Sequence, residues 1–162
     1  MNLFFLDKCF KKSAEYHVNS HCVKQILEAT QILCATFHLQ DIQAPYKLSH
    51  KNHPSTVFCR QSEENFMWVF DYASALSDEY TYRYGKIHKS TEVLKWVANN
   101  AHKLSFPQKG ITEFAIAISQ DSECRKIDGF DSMCPIQKYR SYYKLDKKHL
   151  HSWKSRDKPE WI

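Results

Sequence analysis

A row of polar side chains on one predicted helix has the residue types that acid–base chemistry needs. Spacings of three, four and three residues place four of them on one stripe of an α-helix: His21, Lys24, Glu28 and Gln31. Glutamate can act as a general acid or base, and a lysine can act as a nucleophile when burial lowers its pKa. The alternative interpretation is an exposed stripe with an ordinary i,i+4 ion pair between Lys24 and Glu28.

The segment YKLSHKNHP, residues 46–54, places two imidazoles beside a proline. Pro54 pushes the residue before it out of the helical region, so we expect His53 to be extended at the edge of the next helix. His50 and His53 have the spacing H-x-x-H, which can supply two metal ligands. Three residues elsewhere could complete such a site: Glu28, Glu79 and His88. Two other interpretations stand beside this one: a metal-free site in which the imidazoles and Lys51 contact phosphate or transfer protons, and a turn that both rings brace.

The segment DEYTYRYGKIH, residues 78–88, carries charged side chains near a predicted helix end. Glu79, Arg83 and Lys86 are separated by four and three residues, with tyrosines between them, and His88 follows. Arginine and lysine beside tyrosines suit a phosphate or a stacked base. The alternative is a standard ion pair between Glu79 and Arg83, next to tyrosines that line the boundary of the core.

The C-terminal segment, residues 136–162, carries eight basic and three acidic residues and so holds the entire net charge of +5. Tyrosines and tryptophans interleaved with basic residues are typical of a nucleic-acid surface. The other interpretation is a solvated helix whose aromatic side chains dock onto the core. With the two segments above, this one supplies the candidates for phosphate or base contacts: Lys51, Asn52, Arg83, Lys86, Tyr139, Arg140, Tyr143 and Lys147.

Composition limits the class of protein. With 162 residues, 43% of them hydrophobic, the chain can bury the core of one domain, residues 1–162. Three glycines are too few for a glycine-rich phosphate loop, and six cysteines without a C-x-x-C pair predict reduced thiols. The apolar run before Asp7 is too short for a signal peptide or membrane span, so we expect a soluble, cytoplasmic protein without a membrane partner. No cofactor is predicted, a divalent metal is the alternative, and the oligomeric state stays open.

Apolar periodicity predicts an all-α or mostly α fold, a compact single-domain helical bundle. Four helices are expected: Ser20 to Leu39, one from after Ser62 to Gly85, Thr91 to Leu104, and Ile136 to Trp153. Seven side chains define the expected buried face of the first: Val23, Ile26, Leu27, Thr30, Leu33, Cys34 and Phe37. Shorter features are a helical turn at 56–61, a strand or short helix at 111–119, a loop at 120–135 and one short N-terminal strand at 3–6.

Several motifs together resemble a family of small proteins common in tailed-phage genomes: NLFFLD, SHCVKQILEATQILC, YKLSHKNHPSTVF, SEENFMWV, DEYTYRYGKIHKS and YRSYYKLDKKHLHSWKSRDKPEWI. The resemblance covers nearly the whole chain, with a looser middle at about residues 85–130. It implies a setting, the cytoplasm of an infected host, where nucleic acids and nucleotides are the usual substrates. The shared motifs are rich in polar residues, which favours a common ligand site over a common core alone.

Three functional hypotheses follow. The first is a nucleic-acid-directed enzyme, glycosylase-like, lyase-like or base-modifying, acting on a base or its N-glycosidic bond. In it Lys24 is a nucleophile or electrostatic stabiliser and Glu28 an acid/base. Four histidines transfer protons or orient other groups: His21, His50, His53 and His88. Arg83 and Arg140 clamp phosphates, and Glu79 is a further candidate for catalysis. The second hypothesis is a non-catalytic module that binds nucleic acid or a small nucleotide, for instance to counter a host defence. The third is a metal-dependent phosphodiesterase centred on His50 and His53.

Overall fold

The computed structural model describes residues 2–162. Within that range the chain forms six α-helices: α1 (Phe10–Glu15), α2 (Asn19–His38), α3 (Pro54–Gln61), α4 (Glu63–Tyr84), α5 (Ser90–Asn100) and α6 (Pro135–Leu145). Short 3-10 helices lie between or after them: Ala101–Lys103, Glu123–Lys126, Phe130–Ser132 and Lys148–Leu150. The described residues contain no β-structure beyond an isolated bridge between Ser62 and Gln108. The prediction of a mainly helical fold is confirmed.

Helices α2 and α4 form an antiparallel pair at the centre of the fold. The rings of Phe37 and Phe66 meet at one end, with centroids 5.9 Å apart, and the Tyr84 hydroxyl donates to the Asn19 carbonyl at the other end over 3.4 Å. Both ends of α4 follow from local chemistry. The Ser62 hydroxyl accepts from the Asn65 backbone N–H at its start, and Gly85 ends it in the left-handed conformation with φ 63°.

The N-terminal segment, residues 3–6, threads through the core instead of pairing as a strand. All four of its side chains are buried: Leu3, Phe4, Phe5 and Leu6. Its backbone is held by a side chain, because the Ser13 hydroxyl accepts from the Leu6 N–H over 3.1 Å. The predicted N-terminal strand is therefore wrong. Ser13 belongs to α1, which the sequence pattern did not indicate, since six residues are too few for a helical period to show.

Residues 111–119 are neither the strand nor the short helix that the sequence allowed. They run irregularly along the core, where the Phe114 ring stacks on Phe5 with centroids 4.4 Å apart. The Tyr139 hydroxyl holds the same stretch by accepting from the Ala117 N–H over 3.0 Å and donating to the Ala115 carbonyl over 3.1 Å. A side chain from a distant helix therefore replaces the backbone partner that a strand would need.

The C-terminal segment folds back over the core. Helix α6 ends at Leu145, well before the predicted end at Trp153. Beyond it, the Trp153 indole donates to the Tyr16 carbonyl over 2.9 Å, and Trp161 meets the Tyr16 ring edge-on at 5.6 Å. The docked interpretation of these aromatic residues thus matches the structure. No helix within residues 2–162 combines the length and apolar character that a membrane span needs.

Candidate functional site

The carboxylate of Glu28 lies buried where α2 meets the N-terminal segment. One oxygen, Oε2, accepts from the Asn2 backbone N–H and from the Gln25 side-chain amide, both over 2.9 Å. The other oxygen, Oε1, lies 3.4 Å from the Lys24 ammonium. The Lys24 side chain is 68% exposed and that of Glu28 only 10%. The pair therefore consists of a fixed, buried carboxylate and a lysine that reaches into solvent.

This exposure changes the role expected of Lys24. A nucleophilic lysine was predicted on the condition that the side chain is partly buried, and the structure places its ammonium in water beside a carboxylate. Lysines of that kind act as electrostatic partners. The structure therefore favours the electrostatic role for Lys24, whereas Glu28 has the burial and the fixed position that acid–base catalysis requires.

The corner at residues 50–53 borders the same carboxylate. His53 is extended, as predicted, and caps α3 by accepting from the Ser55 N–H at its Nδ1 over 3.2 Å. Burial lowers the pKa of His53, His50 acts in the same direction, and the negative charge of Glu28 opposes both. His53 thus performs the bracing role, and its ring also lies close enough to Glu28 to sense its charge. His50 adopts a left-handed φ of 50°, a conformation that few residues other than glycine adopt.

His21 lies on α2 about two turns before Glu28. Its ring stacks on Phe4 with centroids 4.7 Å apart, and its Nδ1 lies 2.6 Å from the Tyr143 hydroxyl. Burial, together with the nearby charges of Lys147 and Lys24, lowers the pKa of His21 to about 4. The imidazole is therefore neutral near pH 7.

A buried hydrogen-bonded chain behind Glu28 was missed by the sequence analysis. His17 is fully buried, and its Nδ1 lies 2.6 Å from the Ser13 carbonyl, which can only accept. Its Nε2 therefore accepts from the Tyr72 hydroxyl over 2.8 Å. Burial, with the charge of His21, lowers the pKa of His17 to about 3. Tyr72 in turn lies 3.5 Å from the Gln25 carbonyl oxygen, so the chain leads to the amide that holds Glu28.

One signal for this chain was present in the sequence. His21 and Gln25 are four residues apart and share one face of α2, and His17 precedes them by a further four residues. His17 was left out because the helix was predicted to begin at Ser20. In the structure α2 begins at Asn19, so His17 lies before the helix, and its place in the chain comes from its contacts with Ser13 and Tyr72.

The outer face of α2 carries apolar side chains where burial was predicted. Val23 is 38% exposed and Leu27 39% exposed. They lie outside because the polar side chains of His21, Gln25 and Glu28 take the inward positions of the same turns. Since residues four apart are neighbours on a helix, the two form a small apolar strip beside Lys24. An exposed apolar strip next to a charged group suits a flat ligand such as a nucleic-acid base.

Glu79 and Arg83 form a separate, buried ion-pair cluster. The Glu79 carboxylate accepts from Arg83 over 2.6 Å and from Arg156 over 2.8 Å. Arg83 also donates to the backbone carbonyls of Glu15 and His17. Burial alone would raise the pKa of Glu79, but the hydrogen bonds from both guanidinium groups outweigh it and lower the pKa.

The cluster corrects two sequence predictions. Arg83 cannot clamp a phosphate in this structure because its guanidinium is buried and committed to protein acceptors. Glu79 is a counter-ion and not a proton donor, since two arginines hold its charge. Both residues tie the α1–α2 connection to α4. Arg83 also contacts the buried chain behind Glu28, through the backbone carbonyl of His17.

Four further candidates for catalysis or for contacts with phosphates and bases have structural roles. The His88 Nδ1 accepts from the Ser90 N–H over 3.1 Å and so caps the start of α5. Arg140 pairs with Asp7 over 2.9 Å and donates to the Leu6 carbonyl over 2.8 Å. The rings of Tyr139 and Tyr143 are fully buried, which corrects the expectation that they stack on bases. Four of the predicted contact residues retain exposed or partly exposed side chains: Lys51, Asn52, Lys86 and Lys147.

The structure therefore brings together only part of the predicted site. The α2 cluster, as it is called below, comprises Glu28 with Lys24 and His53, which lie near its carboxylate, together with His21 earlier on α2 and His50 close to His53. Among residues 2–162 no three His, Cys, Asp or Glu side chains are placed to hold a metal ion. Comparisons of the chain with family models, curated proteins and solved structures found no match.

Proposed function

We propose that the protein is a nucleic-acid-directed enzyme that acts on a base or its N-glycosidic bond through the α2 cluster. The observation that supports this most is the Glu28 carboxylate, which is buried, oriented by Asn2 and Gln25, and paired with a solvent-facing lysine. A carboxylate fixed in this way is already oriented to stabilise positive charge on a substrate atom or to accept a proton from it.

Glu28 has two compatible tasks in cleavage of an N-glycosidic bond. As the bond from the sugar carbon to the base nitrogen breaks, its electron pair leaves with the base and positive charge develops on the sugar, which the carboxylate stabilises. Water then attacks that carbon, and Glu28 accepts the proton that the water loses. The departing base, which carries the electron pair of the broken bond, is neutralised by a proton from solvent or from a cationic group.

The surroundings of Glu28 fit an unstacked nucleotide. The apolar strip of Val23 and Leu27 offers a surface for a base, and Lys24 and Lys51 offer positive charge to the phosphates on either side. The C-terminal aromatic residues do not serve this purpose, since they are docked on the core. The binding surface therefore lies on α2 and the corner at residues 50–53.

A second candidate function, a non-catalytic module for nucleic acid or a small nucleotide, is favoured by one observation. Every contact described for Glu28 comes from a donor within the protein, the same arrangement that a purely structural carboxylate would have. In that case Glu28 only orients Lys24, and the cations bind phosphate without any reaction.

The substitution Glu28→Gln separates the two functions. The enzyme hypothesis expects product formation to fall by a factor of about 100 or more while ligand binding changes little. The binding-module hypothesis expects no product from either form and a modest change in affinity. Glu92→Gln is a matched control, because Glu92 pairs with Lys95 on an exposed part of α5. Treatment with borohydride in the presence of substrate tests Lys24 independently, and no trapped adduct is expected.

A further inference from the structure

The Nε2 atom of the His21 ring takes no part in the hydrogen bonds of the core. Its Nδ1 faces the Tyr143 hydroxyl, while its Nε2 has no hydrogen-bond partner within residues 2–162. That nitrogen is also not one of the buried polar atoms left without a partner, so it reaches the surface. His21 thus presents one ring nitrogen to the surface, about two turns before Glu28 on α2.

The hydrogen bond to Tyr143 determines which ring nitrogen carries the proton. Tyr143 is fully buried, and the only described partner of its hydroxyl among residues 2–162 is His21, at 2.6 Å. A buried hydroxyl needs an acceptor for its proton, so Tyr143 donates and the Nδ1 of His21 accepts. The proton of the neutral ring then sits on Nε2. His21 therefore offers an N–H donor to the surface, not a lone pair.

Positive charges surround this donor. The Lys147 ammonium lies 4.8 Å from the centre of the Tyr142 ring, and Tyr142 packs against the same Phe4 ring on which His21 stacks. Lys24 lies one turn beyond His21 on α2. The charges of Lys147, Lys24 and His149 all act on His21, and they contribute to holding it in the neutral form. A neutral N–H donor with basic side chains nearby can bind an anionic oxygen.

We propose that the Nε2–H of His21, with Lys147 and Lys24, binds a phosphate oxygen of the substrate next to the nucleoside that faces Glu28. Tyr143 is the positioning residue that keeps the proton on Nε2. The phosphate site stands on its own geometry, whereas the identity of its ligand as a nucleic-acid phosphate rests on the proposed function. His21 is then a binding donor, which differs from the proton-transfer role expected from the sequence.

The test is a titration of the wild-type protein with inorganic phosphate near pH 7. NMR monitors the ¹⁵N resonances of the His21 ring during the titration. Before phosphate is added, the protonated nitrogen should be Nε2. Phosphate should shift that resonance with saturation, and acetate at the same ionic strength should not. Lys147→Ala should weaken phosphate binding by about fivefold, as expected for the loss of one exposed charge partner. Lys148→Ala, which removes an exposed lysine one residue away, is the matched control.

A second pair of variants tests the role of Tyr143. Tyr143→Phe should allow the His21 proton to distribute over both nitrogens and weaken phosphate binding, while Tyr142→Phe, which keeps the ring beneath Lys147, should do neither. A proton found on Nδ1 in the wild type, or an Nε2 resonance that phosphate does not move, would overturn the proposal. Glu28→Gln should still bind phosphate, at least as tightly as the wild type because the Lys24 ammonium loses its carboxylate partner, even when it is inactive. A failure of the phosphate site is therefore distinguishable from a failure of the proposed reaction.

Discussion

The side-chain amide of Gln25 donates to the carboxylate of Glu28 over 2.9 Å, and this bond joins the candidate catalytic group to the interior of the protein. Behind Gln25 lie the Tyr72 hydroxyl and the His17 ring, both fully buried. The carboxylate therefore takes its position from the packing of α2 against α4 and not from local sequence alone. Each of the following predictions tests one part of this arrangement.

Removal of the Gln25 amide should destabilise the fold and displace Glu28. Gln25→Leu leaves the buried Oε2 of Glu28 with one donor fewer, a loss that costs about 1–3 kcal/mol of unfolding free energy. Urea denaturation of the variant measures this loss. Gln31→Leu, at a half-buried position on the same helix, is the control and should change stability by less than half as much. Equal effects of the two substitutions would contradict a specific role for Gln25.

Stability should fall as the pH decreases from 7 to 5. The folded protein holds the pKa of His17 at about 3 and that of His21 at about 4, below the ordinary value of 6.5. In this window the unfolded chain binds more protons than the folded one, so acid favours unfolding, by about 2 kcal/mol for each histidine. Urea midpoints measured at several pH values test the slope.

Measuring stability at the same pH values in histidine variants shows which residues cause the pH dependence. His21→Gln should make the pH dependence shallower, because one imidazole that burial keeps neutral in the folded protein is gone. His102→Gln is the control, since His102 is exposed, and it should leave the slope unchanged. A wild-type stability that is flat between pH 5 and 7 would contradict the neutral, buried state of both rings.

Arg83 should prove to be a structural residue. Arg83→Met leaves Glu79 buried with only Arg156 as a cationic partner, and loss of one member of a buried ion pair costs about 3–5 kcal/mol. We expect a much lower melting temperature, with unchanged affinity for nucleic acid in the fraction that remains folded. Arg156→Met, at a partly exposed site, should cost less. A large loss of affinity in folded Arg83→Met would restore the phosphate-clamp hypothesis.

The apolar strip should contribute to ligand binding and little to stability. Leu27→Ser removes an exposed apolar side chain next to Lys24, and the loss of stacking area should weaken binding of a single-stranded oligonucleotide about five- to tenfold. Leu145→Ser is matched in exposure at the end of α6. It should change neither affinity nor stability by much. Equal affinities of the two variants would place the binding surface elsewhere.

The sequence predicted α2, α4 and α5 well because their apolar side chains recur at the helical period. The expected helix between Ser62 and Gly85 agrees closely with α4, since a serine cap and a left-handed glycine mark its two ends. The inward face of α2 was harder to predict. Val23 and Leu27 fit the apolar pattern, yet polar residues take the inward positions because partners from distant segments satisfy them.

In the candidate site, too, contacts within one helix could be predicted, whereas contacts between residues far apart in the sequence could not. The proximity of Lys24 and Glu28 follows from helix geometry and could be predicted. The contribution of Asn2, and the orientation of His21 by Tyr143, depend on contacts between residues 26 and 122 positions apart. Likewise, Arg83 looked like a phosphate clamp because its type and spacing are the same whether its acceptors are phosphates or buried carbonyl groups.

The most direct test of the proposed function is product analysis after incubation with single-stranded DNA, duplex DNA and RNA, with wild-type protein and Glu28→Gln side by side. Release of a free base, or a change in a base, by the wild type and its loss in Glu28→Gln is the predicted result, provided that both forms bind the substrate equally. Equal product from both forms, or tight binding by the wild type without any product, would contradict the assignment of Glu28 as the catalytic carboxylate.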